Sequence, residues 1–162
     1  MDVNWIDLVV ILLMVVGVWV GFRRGFGRAI FDFAALFIAL RTTLLYSGSL
    51  ARAMQLTADK QSNEAWVFGL SFLVSGVILW FLGKWAYDAT LVSLDTFDPP
   101  LGAALGFAIS IVVAHVFVKL LFLAANTEGA VPDVIVHSTL GLETLEFPTY
   151  HAVLDFMFRL GQ

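Results

Sequence analysis

Gly21-Phe22-Arg23-Arg24-Gly25-Phe26-Gly27-Arg28 is the stretch whose reading decides the fold. It places three arginines and three glycines in eight residues, and long apolar runs flank it on both sides. Upstream, Leu8 to Phe22 carries no charge. Downstream, the apolar pattern resumes at Ala29. Glycine-punctuated basic residues between two such runs predict a turn between two membrane-spanning helices, because the turn needs backbone freedom and arginine is retained on the cytoplasmic side.

The rest of the composition agrees with lipid as the main solvent. Of 162 residues, 60% are hydrophobic and 14% charged, and the mean hydropathy is +0.90. A soluble domain has about 45–50% apolar and about 25% charged residues. At roughly 20 residues per span, the chain has room for four spans and a tail. The acidic start, Met1-Asp2-Val3-Asn4, and the arginines closing the first apolar run argue for a retained helix and against a cleaved signal. With no cysteine, disulfides and thiolate chemistry are excluded. No basic patch with interleaved aromatics points to nucleic acid.

The expected fold is therefore all-α: a polytopic membrane protein with four transmembrane helices and a C-terminal amphipathic tail. The helices are expected at about 5–22, 29–47, 65–87 and 101–125, forming one domain over residues 1–125. Gly48 to Glu64 reads as a polar connection with a short interfacial turn. Asp88 to Pro100 reads as a loop ended by Pro99-Pro100. Residues 126–162 form the tail, with an interfacial helix at about 150–160, too short to span.

Small residues recur on single helix faces. Gly17, Gly21 and Gly25 form one row; Gly69, Gly76 and Gly83 recur every seven residues; Gly102, Gly106 and Ser110 form a third. Such rows let helices approach closely in lipid, and they suit contact within the bundle, with a second copy, or with another membrane protein. For orientation, Arg23, Arg24 and Arg28 in the first turn outweigh Arg52 and Lys60 in the second connection, and Lys84 stands at the membrane edge on the side of the third connection. The three arginines place the first turn in the cytoplasm and both termini in the periplasm.

Two blocks carry a resemblance. The first is Asn4-Trp5-Ile6-Asp7, leading into a helix that closes on Gly21-Phe22-Arg23-Arg24-Gly25-Phe26. The second is Leu94-Asp95-Thr96-Phe97-Asp98-Pro99-Pro100-Leu101-Gly102-Ala103-Ala104-Leu105-Gly106-Phe107. In order and spacing, over about residues 4–125, the chain resembles the colicin V production protein family. It departs from the family where Thr96 follows Asp95, a place often held by a basic residue. The resemblance implies a bacterial inner-membrane protein linked to toxin export or envelope maintenance. It supplies no catalytic residues and no cofactor.

Charged groups inside spans are costly and mark candidate sites. Arg41 falls within the second helix, at a depth where it pairs with Asp7, snorkels to the headgroups, or meets a substrate. Asp32 suits an ion pair with Arg28 at i−4 or with Lys84. His115 and Lys119 share a face, and with Arg41 they form one reading of an anion-attracting vestibule. His137 and His151 match no zinc spacing, and no hydrolase, phosphate-loop or metalloprotease motif occurs. The reading that results is a non-catalytic accessory or scaffold subunit; the alternative is a small oligomeric channel or transporter.

Overall fold

The computed structural model describes residues 4–90, 97–125 and 132–146. The described residues form helices α1 (Trp5–Ala53), α2 (Lys60–Thr90), α3 (Asp98–Ala124), α4 (Asp133–Val136) and α5 (Thr139–Glu146), with no strand among them. The expected helix at 150–160, with His151, lies outside the described residues.

Helix α1 has 49 residues. Straight, it would measure about 74 Å, more than twice a hydrocarbon core of about 30 Å. It is not straight: Gly25 has φ 78° and ψ 170°, a region open essentially to glycine alone. The break folds α1 into two arms, residues 5–24 and 26–53. Ile6 and Val10 of the first arm pack with Ala114 and Val118 of α3, and Leu40 of the second arm packs with Val112 and Val116. Residues far apart on either side of Gly25 thus reach one level of α3, so the arms run antiparallel.

The expected turn over several residues is therefore a reversal at a single residue, and the second arm begins at residue 26 and continues to Ala53. The expected interfacial turn near residue 50 is part of that arm. Pro99 and Pro100 do not end a loop; they lie in the first turn of α3, where proline's missing N–H costs nothing.

Three helices, α1, α2 and α3, are long and apolar enough to cross a membrane. Their outward faces carry large apolar side chains, such as Leu45 at 67% exposure and Trp85 at 73%. The interior holds two clusters. One joins the first arm to α3 and Ile135 of α4; the other joins the second arm to Phe68 of α2 and to α3.

The glycine rows of the first arm and α3 face each other. A Cβ on Gly17 would lie 2.5 Å from the Gly106 carbonyl oxygen and 2.7 Å from Ser110 Cβ. On Gly21, Gly102 or Gly106 it would overlap the opposite backbone. Lipid offers no hydrophobic drive for helix association, so close backbone approach and its dispersion contacts hold this seam. The row on α2 is looser: Gly83 would meet the Phe31 carbonyl oxygen at 3.3 Å and Gly69 would meet Leu120 at 3.4 Å, whereas Gly76 would meet nothing within 4 Å.

Candidate functional site

Polar groups gather at the two ends of the bundle, with cavities between them. At the reversal, Arg24 Nη1 lies 2.9 Å from Asp32 Oδ2, and Arg28 Nε lies 3.9 Å from the same oxygen. The Asp32 side chain is only 8% exposed, so the pair neutralises a carboxylate that burial would otherwise penalise. The i−4 partner expected from sequence is thus the more distant of two. Arg24, eight residues back, comes closer because the break at Gly25 turns the first arm's end over the second arm.

Asp98 completes this end. Its Oδ1 accepts from the Gly27 N–H at 3.3 Å. That amide belongs to the first turn of the second arm, where the helix has no acceptor of its own. Asp98 also sits in the first turn of α3. One carboxylate therefore serves the N-terminal ends of two helices, where the dipoles favour negative charge. The guanidinium of Arg23 lies 5.1 Å above the Trp19 ring, and that of Arg28 lies 5.9 Å from the Tyr87 ring.

At the opposite end, Asp7 Oδ1 accepts from Ser138 Oγ at 2.7 Å and from the Leu140 N–H at 2.9 Å. Ser138 Oγ in turn accepts from the Gly141 N–H at 2.8 Å. Asp7 and Ser138 therefore cap α5 together. Asn4 caps α1 through the Ile6 N–H at 3.0 Å and donates to the Val134 carbonyl at 2.6 Å. His115 Nδ1 donates to the Thr144 carbonyl at 2.7 Å, near the last turn of α5. These bonds clamp the tail helices onto the first arm and α3.

The predicted pair of Arg41 with Asp7 does not form. The Asp7 carboxylate is engaged by the tail, and Arg41 is exposed with no acid partner among the described residues. The vestibule of Arg41, His115 and Lys119 is not assembled either. His115 is buried against α5; Lys119 lies 4.8 Å over the Phe122 ring and lines a cavity of about 280 Å³ with Glu64 and Ser47. Position along a helix set the depth of these groups but not which way each turns, and the tail that captures His115 gave no signal of where it docks.

Sequence reasoning missed Asn63. It is 4% exposed, donates to the Ala51 and Met54 carbonyls at 2.8 and 2.9 Å, and accepts from the Leu56 and Thr57 amides at 2.6 and 3.3 Å. It uses the full capacity of its amide to close the second arm and order residues 54–59. Its only signal was an asparagine beside a helix boundary. Next to it, Asp59 accepts from the Ser62 N–H at 2.8 Å, and this bond holds its carboxyl below the usual 3.8.

A cavity of about 270 Å³ lies between the first arm and α2, floored by the second arm and α3. Its walls are apolar, with Val20, Leu36, Val77, Trp80 and Ile109 around Gly76, and its polar end is the Arg24–Asp32 pair. Among the described residues no three His, Asp or Glu side chains converge as metal ligands.

Searches of curated proteins and of solved structures gave no match. The family model described as colicin V production protein matches residues 6–141, from the first turn of α1 into α5. That span takes in the reversal at Gly25, the glycine seam and the Asp7–Ser138 cap, and the chain belongs to the colicin V production protein family.

Proposed function

We propose that this multi-pass protein of the bacterial inner membrane is a non-catalytic accessory or scaffold subunit in toxin export or envelope maintenance. It crosses four times, the two arms of α1 counting as separate spans, and both termini lie in the periplasm. The observation that carries the reading is how its polar side chains are engaged. Asp7 and Asp98 cap helices, Asp32 holds Arg24, and His115 holds the tail. Groups suited to acid–base chemistry are thus bound up in the architecture, which favours a rigid presenting body over a reaction centre.

The seam also bears on partners. Because Gly17, Gly21, Gly102 and Gly106 are consumed inside the chain, an associating protein meets the apolar outer faces instead, such as that of the second arm with Phe37, Ile38 and Leu45. Photo-crosslinking from position 45 in the native membrane tests this. The expected product is one defined heterologous membrane protein in constant ratio. A ladder of self-multiples, with solute flux lost in Arg41→Leu, would replace the scaffold with an oligomeric channel.

A further inference from the structure

The cavity between the first arm and α2 has a shape and charge that select an occupant. Its walls are apolar, and it lies between two helices long and apolar enough to cross a membrane. Gly76 is buried at its wall, yet an added Cβ there would meet nothing within 4 Å, so the space above it is unfilled by the protein. One end is basic. Arg24 closes that end from the first arm, with its side chain 48% exposed. Lys84, also exposed, lies one turn beyond Trp80 on the same face of α2. The neighbouring Gly83 approaches the Phe31 carbonyl, which sets Lys84 at the level of the Arg24–Asp32 pair.

At this end Arg24, Arg28 and Lys84 stand against Asp32 and Asp98, with Asp88 a turn further out on α2, while Arg23 lies over Trp19, away from the slot. Asp32 is turned inward to Arg24 and Arg28, and Asp98 to the Gly27 amide, while Lys84 is exposed and Arg24 keeps about half of its side chain exposed. An apolar slot ending in two exposed cations, Arg24 and Lys84, matches a phospholipid with a negatively charged headgroup. We infer that the slot holds one acyl chain of an anionic phospholipid, its headgroup phosphate lying between Arg24 and Lys84.

The test uses the full chain reconstituted with an equimolar mixture of phosphatidylglycerol and phosphatidylethanolamine bearing identical acyl chains. Native mass spectrometry then reads the lipid retained. The native protein should keep phosphatidylglycerol preferentially. Gly76→Leu has room for its Cβ, with nothing within 4 Å, and its side chain projects into the slot, so it should lower retention roughly tenfold or more, the loss expected when several methylenes cannot bury. Lys84→Gln should cut the preference for phosphatidylglycerol about fivefold while leaving acyl-chain retention in place. Lys84 is exposed, so that variant keeps the fold and tests the headgroup contact on its own. Undiminished retention by Gly76→Leu would overturn the acyl-chain site. Equal retention of both lipids by the native chain, or an unchanged preference in Lys84→Gln, would overturn the anionic headgroup.

Discussion

At residue scale, Gly25 and Asp98 act as a single device. The backbone at Gly25 admits no side chain, and the Asp98 carboxylate fills the space where a Cβ would stand. Gly25→Ala should therefore lower stability by about 1–3 kcal/mol from backbone strain alone, with displacement of Asp98 added to it. Gly48, exposed in the same helix with nothing within 4 Å of an added Cβ, is the control. Its alanine variant should be neutral or gain a few tenths of a kcal/mol. Detergent-solubilised thermal unfolding of the two variants separates them, and equal behaviour would remove Gly25 from its role. Asp98→Ala should cost about 0.5–2 kcal/mol as a lost cap. The sequence announced a turn here through its glycines and arginines. It could not announce which glycine carries the reversal, because that depends on an acid 73 positions later in the chain, counting from Gly25 to Asp98.

Among the elements, α5 and the start of α2 depend on caps of opposite accessibility. Helix α5 has 8 residues, too few for independent stability. Asp7, Ser138 and His115 hold it from both ends. Asp7→Ala should raise hydrogen exchange over residues 139–146 and leave the far end at Gly27 unchanged; a uniform rise would mean that Asp7 supports the whole bundle instead. The start of α2 is set by Asp59 in the open. Its carboxyl is held below 3.8 by the Ser62 bond, so the cap is complete above that pH and is lost as pH falls through the lower folded-state value. The Ser62 amide resonance should titrate with a midpoint below 3.8, and Asp59→Asn, which keeps an acceptor oxygen, should abolish the titration. Helix existence was legible from long apolar runs, and the small-residue rows of the first arm and α3 were legible as packing faces. Helix ends were not. Residues 48–53 and 60–64 look polar enough for a loop, yet Asn63 and Asp59 supply the hydrogen bonds that let both helices continue.

For the whole molecule, the reversal at Gly25 turns one 49-residue helix into two antiparallel arms, and it brings the arginines to one end and the tail to the other. The second arm, residues 26–53, measures about 42 Å, close to a bilayer with its headgroup layers. Gly25 and Asp98 mark the arginine end; Asp59 and Asp7 mark the other. If the arginines face the cytoplasm, as the positive-inside rule requires, positions at the two ends must differ in access. The absence of cysteine makes single-cysteine labelling clean. Gln55→Cys in the connection after the second arm and Val134→Cys in α4 should react with a membrane-impermeant maleimide in intact cells. Phe97→Cys, 69% exposed at the start of α3, should react only after permeabilisation. The mirror pattern would invert the protein in its membrane. Equal labelling of Gln55→Cys and Phe97→Cys from outside would mean that α2 does not cross as a span, because α2 is the one helix between the two positions among the described residues.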